Sequence, residues 1–277
     1  MPSFEFIFTP LGSEEEKFFL MAELLELGFE SFVEEASSLK GYISSGSYPK
    51  NLINDITFLK DHPEVKFEVK TLPDINWNQE WESNYQPVTI AGKCHVRAPF
   101  HPTRPDMAYE IVIEPKMAFG TAHHETTQLM AGWLMELEVV GKEVLDMGCG
   151  TGILAILANK MGAKFVTAID NDEWACRNAG ENFMNNGVAA GSVLPGDAAL
   201  VKPGCYDMIL ANINRNVLIR DMKFYYAGLR ENGLLLLSGF YQQDIEAINT
   251  SASRCNLRFY ASKTLNDWAA ALFYKLS

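Results

Sequence analysis

A glycine-rich turn follows a short apolar segment near the middle of the chain and runs directly into a helical pattern. The segment reads Val144-Leu145-Asp146-Met147-Gly148-Cys149-Gly150-Thr151-Gly152, and apolar residues continue through 153–158. Glycines allow a tight turn and let a ligand lie against the backbone, where the amides of a helix N-terminus can donate hydrogen bonds. The stretch therefore predicts a strand, a turn and a helix that bind a nucleotide.

The spacing of these glycines indicates which nucleotide to expect. A dinucleotide fingerprint has the pattern G-x-G-x-x-G, whereas Ile153 stands where its last glycine would be. Asp146 precedes the first glycine, and its carboxylate would repel a pyrophosphate but could lie near a cationic group. The pattern therefore disfavours NAD and favours a ligand that carries a sulfonium and an ammonium.

Further polar residues end the apolar segments that follow. Asp170 comes after segment 165–169 and is expected to accept hydrogen bonds from both ribose hydroxyls. Asp197 follows the next strand and could accept from an adenine amino group, and Asn212 ends the strand after that. Strand carboxyl ends meet at one edge of a parallel sheet, so these residues should share a site with Gly148. The pattern predicts a methyltransferase that uses S-adenosylmethionine (SAM); a glycine turn with incidental acids is the alternative.

Composition restricts the setting in which the protein works. The chain has 277 residues, 48% of them hydrophobic, which is enough to bury the core of one large or two unequal domains. There is no basic leader and no apolar run of membrane-spanning length, and the five cysteines form no Cys-x-x-Cys pair. We expect a cytoplasmic protein without membrane association, disulfide framework or metal site.

The negative charge is concentrated near the start of the chain. The formal net charge is −12, and residues 1–70 hold 13 acids against 6 Lys and Arg, which gives 6 − 13 = −7 for this part alone. A phosphate backbone calls for a basic face, so stable nucleic-acid binding is not expected and a basic protein partner fits better. Solubility alone is the alternative explanation of the acidic surface.

Residues 1–71 are predicted to form a small domain with mixed α and β structure. The expected elements are a strand at 3–9, a helix from Ser13 to Gly28, strands at 29–36 and 39–45, a helix from Pro49 to Leu59 and a strand at 65–69. The apolar face of the first helix is expected to consist of Phe18, Met21, Leu24 and Leu25. The order βαββαβ is typical of a ferredoxin-like domain. Because no catalytic cluster occurs there, we expect the domain to recognise the substrate.

The rest of the chain is predicted as a linker and a larger domain. Residues 72–87 are expected to form a linker helix whose Trp77 and Trp81 pack on one face. Residues 88–277 alternate strands and helices, which predicts a mostly parallel sheet covered on both faces. The expected strands are 88–90, 95–97, 111–113, 144–147, 165–169, 193–194, 206–211, 234–237, 257–262 and 269–274, and the later helices are 214–229 and 242–253. We therefore expect a Rossmann-like class I SAM methyltransferase domain.

Two histidines lie in a polar loop before an amphipathic helix at 129–137. Adjacent histidines on a helix point about 100° apart, and His123-His124-Glu125 does not match a zinc motif. His124 could accept a proton or form a structural hydrogen bond in the loop. Thr126 and Thr127 could cap the helix or reach a ligand.

Four motifs carry a resemblance to a known family. They are Asp74-Ile75-Asn76-Trp77 with Trp81, residues 113–121 with His124 and Thr126-Thr127, the glycine turn at 146–152, and Ala211-Asn212-Ile213. In these the chain resembles the PrmA-type methyltransferases of large-subunit ribosomal protein eleven. The resemblance implies SAM contacts at Thr127, Gly148, Asp170 and Asn212, and docking of the protein substrate by residues 1–70. Together with the residues of the glycine turn and the strand ends described above, the full set of expected SAM contacts is Thr127, Asp146, Gly148, Gly150, Gly152, Asp170, Asp197 and Asn212.

The implied reaction is direct methyl transfer from SAM to an amine, either a lysine ε-amine or an N-terminal α-amine. Asn212 is expected to orient the amine, with His124 as a possible proton acceptor. The sequence Asn212-Ile213-Asn214-Arg215 lacks the aromatic residue that base-methylating enzymes commonly carry there, which disfavours RNA. Methylation of another protein amine or of RNA, or SAM binding without turnover, are the alternatives, and the protein is expected to be a monomer. Ala122 replaces a usual family glycine, so the loop would bend differently if that position needs a positive φ.

Overall fold

The computed structural model describes residues 3–44, 56–72, 86–114 and 120–276. The chain divides into two units, Met1–Tyr85 and Gln86–Ser277, each with its own core. Most of the predicted linker helix, with Trp77 and Trp81, lies outside the described residues.

The first unit is built on a four-stranded sheet. Its elements are β1 (Ser3–Thr9), α1 (Glu14–Glu26), β2 (Ser31–Glu34), β3 (Leu39–Ser44), α2 (Phe58–Asp61) and β4 (Lys66–Leu72). The strand order is β2-β3-β1-β4, and every neighbouring pair is antiparallel. Ser13 caps α1 in a capping box with Glu16, as the sequence predicts. The predicted strands and the first helix are therefore confirmed.

The first helix is rotated from its predicted orientation. Leu20 and Leu24, one helical turn apart, are fully buried with the phenylalanines of β1. Phe18 and Leu25, which were predicted on the apolar face, are 68% and 54% exposed. Lys17 lies on the buried side, and its ammonium reaches a surface glutamate at 3.0 Å. Leu24 and Met21 pack in the core as predicted, whereas Phe18 and Leu25 do not, because the pair Leu20 and Leu24 determines which side faces the sheet.

The second predicted helix, 49–59, is only partly described, and its described end is wrong. Ile56 and Thr57 are not helical, and α2 begins at Phe58. The carboxylate of Glu23 accepts hydrogen bonds from the amide and hydroxyl of Thr57 and from the amide of Phe58, the last at 2.9 Å. Because a side chain of α1 takes up these donors, residues 56–57 do not join α2, which begins at Phe58.

The second unit contains a small sheet and a large one. The small sheet consists of β5 (Val88–Ile90), β6 (Cys94–Arg97) and β7 (Tyr109–Val112). The large sheet has seven strands: β8 (Glu143–Met147), β9 (Phe165–Asp170), β10 (Gly191–Pro195), β11 (Tyr206–Asn212), β12 (Leu229–Tyr241), β13 (Leu257–Leu265) and β14 (Trp268–Lys275). Its order is β10-β9-β8-β11-β12-β14-β13, and only β14 runs antiparallel to its neighbours. The predicted parallel sheet is confirmed.

Helices cover both faces of the large sheet. They are α3 (Glu125–Leu134), α4 (Ile153–Lys160), α5 (Glu173–Asn185), α6 (Arg215–Gly228) and α7 (Ile245–Arg254). Side chains of α3, α4 and α5 share one buried cluster, and those of α6 and α7 share another. Residues 153–158 of α4 are all buried, as expected of a helix that is apolar on every side. This burial fixes the turn that precedes α4.

Local differences from the prediction lie mostly at element ends. β12 is longer than the predicted 234–237 and has an irregular register with β14 between Ser238 and Phe240. The predicted helix 242–253 begins instead with a 3-10 turn at Gln242–Asp244. None of the helices in the described parts of the chain combines the length and apolar character needed to cross a membrane.

Candidate active site

The glycine turn lies at the carboxyl end of β8, as predicted. Gly148, Gly150 and Gly152 have φ of +70°, +53° and +78°, in a backbone region that residues with a side chain rarely adopt. A Cβ at Gly148 would lie 2.1 Å from Cγ2 of Ile213, so no side chain fits there without movement. Ile213 follows β11, and the contact therefore brings the ends of two strands together.

Asp170 binds the glycine turn from the end of β9. Its side chain is 9% exposed, and its two oxygens accept hydrogen bonds from the amides of Gly150 at 2.9 Å and Asp172 at 3.0 Å. A carboxylate offers about four acceptor positions, so two remain for other donors. The geometry is compatible with the predicted acceptance of ribose hydroxyls.

Asp146 is directed toward the start of α4. The residue is 2% exposed, and its carboxylate accepts a hydrogen bond from the amide of Ala155 at 3.1 Å. Because the N-cap residue Gly152 has no side chain, Asp146 supplies the capping acceptor from the preceding strand. Burial raises the pKa of Asp146 to about 8; the hydrogen bond from Ala155 opposes the increase, and the charge of Asp170 adds to it. Its role as a ligand contact stays a prediction.

A cavity of about 160 Å³ lies beside the turn. It is lined by Met147, Gly148, Asn171, Gly196, Asp197, Ile213, Val217, Arg220 and Asp221. The cavity thus places Asp197, the predicted adenine acceptor, near Gly148. One oxygen of Asp197 accepts from the amide of Ala199 at 2.9 Å. The sequence reasoning did not single out Arg220 and buried Asp221, which form two hydrogen bonds at 2.7 and 2.9 Å that raise the pKa of Arg220.

His124, rather than a threonine, caps α3. Its Nδ1 accepts a hydrogen bond from the amide of Thr126 at 3.2 Å and lies 2.8 Å from the hydroxyl of the same residue. The capping alternative for Thr126 and Thr127 was wrong, because His124 reaches the first free amide and both threonines are buried. The hydrogen bond matches the structural role that the sequence left open for His124.

Thr127 and Asn212 meet although they are 85 residues apart in the chain. The amide nitrogen of Asn212 donates to the hydroxyl of Thr127 at 3.5 Å. The side-chain oxygen of Asn212 is buried and accepts no hydrogen bond from any described residue. Since buried acceptors are nearly always satisfied, a donor from a bound molecule is expected at this oxygen. The acceptors of Asp170 and Asp197 are compatible with the ribose hydroxyl and adenine amino donors of SAM, and the oxygen of Asn212 is left for an amine donor.

The loop before α3 contacts the glycine turn directly. The hydroxyl of Thr151 donates to the carbonyl of Gly120 at 2.7 Å. Ala122 is fully buried and has φ +71°, so this position does adopt the conformation that favours glycine. An alanine there costs roughly 1–2 kcal/mol of backbone strain. The motif residues 115–119 lie outside the described part of the chain.

A row of asparagines on α5 was missed by the sequence reasoning. Asn182 is fully buried, accepts from the amide of Glu114 at 2.9 Å and donates to the carbonyl of Thr151 at 3.0 Å. Asn186 accepts from the amide of Val112, also at 2.9 Å. These bonds join the end of β7 to the glycine turn. The four-residue spacing of Asn178, Asn182 and Asn186 was the available signal.

Comparison with known sequences shows the family of the chain. A family model described as ribosomal protein L11 methyltransferase (PrmA) matches residues 13–275. The chain is 47% identical over 261 residues to a ribosomal protein L11 methyltransferase of Porphyromonas gingivalis, covering 92% of this chain and 89% of that protein. It is 45% identical over 280 residues to the protein of the same name from Bacteroides fragilis, covering 99% of both.

Comparison with solved structures supports the same fold. The crystal structure of a ribosomal protein L11 methylase from Lactobacillus delbrueckii subsp. bulgaricus matches with a TM-score of 0.65 and 26% identity, covering 70% of this chain and 100% of that one. A methyltransferase from Pyrococcus furiosus matches with a TM-score of 0.52 and 16% identity, covering 60% of this chain and 90% of that one, which concerns the fold alone. The mixed α/β fold with its large, mostly parallel sheet is that of the class I SAM methyltransferases.

Proposed function

Because this chain belongs to the ribosomal protein L11 methyltransferase (PrmA) family, we propose that it methylates amines of large-subunit ribosomal protein L11. The amines are lysine ε-amines, the N-terminal α-amine, or both. The chain is a SAM-dependent methyltransferase, and the proposal concerns the substrate and the residues that perform the transfer. Action in the cytoplasm and a monomeric state stay predictions.

The observation that carries the residue assignment is the buried, unsatisfied oxygen of Asn212. If an N–H of the substrate amine donates to this oxygen, the lone pair of the amine nitrogen is held in a fixed direction. The bond between Asn212 and Thr127 fixes the amide, so its oxygen is the atom left to face a donor. Asn212 therefore orients the attacking amine in this proposal.

SAM supplies a methyl group on a positively charged sulfur. A lysine amine has an ordinary pKa of about 10.4 and must be neutral to attack. A site that excludes water favours the neutral form. The N–C bond then forms as the S–C bond breaks, and the positive charge passes from sulfur to nitrogen. His124 stays a predicted proton acceptor, and its described contacts are those of a capping residue.

We assign the binding of SAM to the residues around the glycine turn. Asp170 would take the ribose hydroxyls and Asp197 the adenine amino group. The backbone of the turn would lie against the ligand, and Thr127 and Asn212 would hold its amino acid end. The assigned residues are Thr127, Asp146, Gly148, Gly150, Gly152, Asp170, Asp197 and Asn212.

The first unit is proposed as a ferredoxin-like domain that docks the protein substrate. Its strand order and antiparallel pairing support this assignment. Phe18 and Phe19 are 68% and 65% exposed on α1. With Glu14, Glu15 and Glu34, they line a surface cavity of about 510 Å³. Exposed aromatics beside acids suit a partner that is apolar and basic.

The test is transfer of labelled methyl groups from SAM to a mixture of large-subunit ribosomal proteins and RNA, read by mass spectrometry. We expect label on amines of L11, in molar excess over the enzyme. Label in RNA or on another protein would contradict L11 as the substrate. SAM binding without any labelled product would contradict the proposed catalytic activity.

A pair of variants tests the role of Asn212. Asn212→Ala should lower kcat by about a hundredfold, the usual loss for one group that is fixed in the site. Asn214→Ala is the matched control, because Asn214 only caps α6 through the amide of Asn216 at 2.9 Å. Equal kcat values for both variants would remove Asn212 from the reaction.

A further inference from the structure

A second, larger cavity lies where β12 ends. It has a volume of about 730 Å³ and is lined by Tyr241, Gln242, Gln243 and Asp267. Tyr241 is the last residue of β12 and pairs with Trp268, the first residue of β14. We call this space the Tyr241 cavity. It opens at the sheet edge that also carries Asn212.

Stacked aromatic rings connect the Tyr241 cavity to the candidate active site. The ring of Tyr241, 44% exposed, stacks on Trp268 with centroids 4.3 Å apart and an interplanar angle of 29°. Trp268 also contacts His124, edge to face with ring centroids 4.8 Å apart. His124 begins the helix whose Thr127 meets Asn212. Side-chain contacts thus lead from Tyr241 to His124, and the helix that His124 caps carries Thr127.

The sheet register gives the distance between the cavity and the site. Asn212 pairs with Ser238 on β12, and Tyr241 lies three residues further along. At about 3.3 Å per residue, this is about 10 Å of strand. A side chain that neighbours the reacting amine in a protein substrate can cover that distance.

The cavity carries the carboxylate of Asp267, and the backbone of its lining residues Tyr241, Gln242 and Asp267 is hydrogen-bonded. Asp267 is exposed, and across residues 3–44, 56–72, 86–114 and 120–276 no group donates a hydrogen bond to its carboxylate. Its carbonyl accepts from the amide of Gln242 at 2.8 Å. Asp244 accepts from the amide of Tyr241 at 3.2 Å and from Arg215 at 2.6 Å. Asp244 thus fixes Tyr241 and compensates the nearby positive charge of Arg215.

We propose that the Tyr241 cavity binds a protonated lysine or arginine side chain of the protein substrate, next to the amine that receives the methyl group. The aromatic face of Tyr241 and the carboxylate of Asp267 both attract a cation. The inference rests on the proposed function, because it requires a protein substrate that presents an amine to Asn212.

The reacting amine itself does not suit this cavity. A carboxylate and an aromatic face stabilise the charged form of an amine and raise its pKa. Methyl transfer needs the neutral form. The cavity therefore binds a neighbouring cation of the protein substrate. This contact increases the affinity for the substrate and aligns it, while the amine reacts beside Asn212.

The test compares steady-state methylation of L11 by five variants. Tyr241→Ala should raise KM for L11 about threefold, as expected for a cation–π contact at a partly exposed site. We expect kcat and SAM affinity to stay within about twofold, because the cavity contacts neither the methyl group nor the cofactor. Tyr241→Phe keeps the aromatic face and should restore most of the affinity. Asp267→Asn should raise KM about threefold at low salt and less at high salt.

Two variants serve as matched controls. Tyr260→Ala removes a tyrosine on β13 that is 68% exposed, and Glu231→Gln removes a charge at the opposite end of β12. Neither should change KM. Thermal denaturation shows whether the Tyr241→Ala variant is folded. If it is unfolded, Asp267→Asn, at an exposed position, tests the inference by its KM for L11.

The outcomes separate the two proposals. Wild-type protein that labels L11, with an unchanged KM in folded Tyr241→Ala and in Asp267→Asn, overturns the inference alone. A loss confined to kcat also overturns it, since that would indicate a change at the reacting atoms. Failure of the wild-type protein to label L11 overturns the proposed function and the inference with it.

Discussion

Each unit of the chain contains one pair of side chains that departs from ordinary burial, and the two departures are of opposite kinds. The second unit buries the carboxylates of Asp146 and Asp170, which are 2% and 9% exposed. The first unit leaves the rings of Phe18 and Phe19 largely in solvent, at 68% and 65%. Charged groups are rarely buried, and large aromatic side chains are rarely exposed to solvent in adjacent pairs, so both cases need a physical reason.

The reasons differ, and the difference separates a binding site from a docking surface. The buried carboxylates accept hydrogen bonds from backbone amides of the same unit, at 2.9–3.1 Å, and thereby fix the glycine turn. The two exposed rings contact each other, with centroids 6.2 Å apart, and gain little from their own core. The first arrangement is complete within the unit, whereas the second calls for a partner.

The largest effect is expected from filling the glycine turn. Gly148→Ala adds a methyl group 2.1 Å from Ile213 at φ +70°, so strain and overpacking together should lower the free energy of unfolding by about 2–5 kcal/mol and abolish SAM binding. Gly92→Ala is the matched control, because φ there is +67° and nothing lies within 4 Å. Chemical denaturation and calorimetry of both variants measure the difference. Equal losses would show that the contact with Ile213 is unimportant.

The pH dependence of stability should reveal the buried carboxyl of Asp146. Its pKa is raised from 3.8 to about 8 in the folded protein, so the stability that it contributes is present below pH 4 and is lost as the pH rises toward 8. Asp146→Asn keeps the acceptor for Ala155 but cannot ionise. Between pH 5 and pH 8 the wild-type protein should lose on the order of 3 kcal/mol relative to the variant. Parallel stability curves from urea denaturation would contradict this.

Asp170 should contribute to ligand affinity more than its neighbour does. Asp170→Ala should lower the SAM binding free energy by roughly 1.5–3 kcal/mol, through lost charge-assisted hydrogen bonds. Asp172→Ala removes only the cap of α5, a hydrogen bond from Trp174 at 2.8 Å, and should cost about 1 kcal/mol of folding stability with SAM affinity unchanged. Isothermal titration calorimetry with SAM measures the binding free energy of both variants. Unchanged binding in Asp170→Ala would remove this residue from the site.

The smallest effect on stability is expected at the exposed aromatic pair. The double variant Phe18→Ser, Phe19→Ser should change the free energy of unfolding by no more than about 0.5 kcal/mol, because both rings are already in solvent. The KM for L11 should nevertheless rise, while kcat for methyl transfer and the affinity for SAM stay constant. A large loss of stability would mean that the rings belong to the core, and the comparison between the units would no longer hold.

Patterns between neighbours in the sequence predicted much of the fold. Alternation predicted the first and last strands of the four-stranded sheet, short apolar runs predicted the strands of the large sheet, and the spacing of Gly148, Gly150 and Gly152 located the turn. The rule that parallel strands end at one edge brought Asn212 to the site, and the resemblance added Thr127, although no local pattern could reveal the 3.5 Å contact between them.

The errors have a common physical cause. Phe18 was wrongly placed on the buried face of α1, and residues 56–57 were wrongly placed in a helix. Packing through Leu20 decided the first, and the side chain of Glu23, which accepts hydrogen bonds from Thr57 and Phe58, decided the second. Asn182 was missed because a buried asparagine serves backbone groups of distant segments. Such bonds follow from tertiary structure, and a single sequence gives them little signal beyond the four-residue spacing.

The position of β14 has a consequence for the synthesis of the protein. β14 lies between β12 and β13, although it follows both in the chain. A ribosome makes residues 268–275 last among the strands, so the edge of β12 stays unpaired until then and β13 has no partner in the sheet. Open strand edges invite pairing with other chains. A nascent chain that is released before β14 should therefore aggregate rather than yield a smaller enzyme, and chaperones would be needed mainly in that interval.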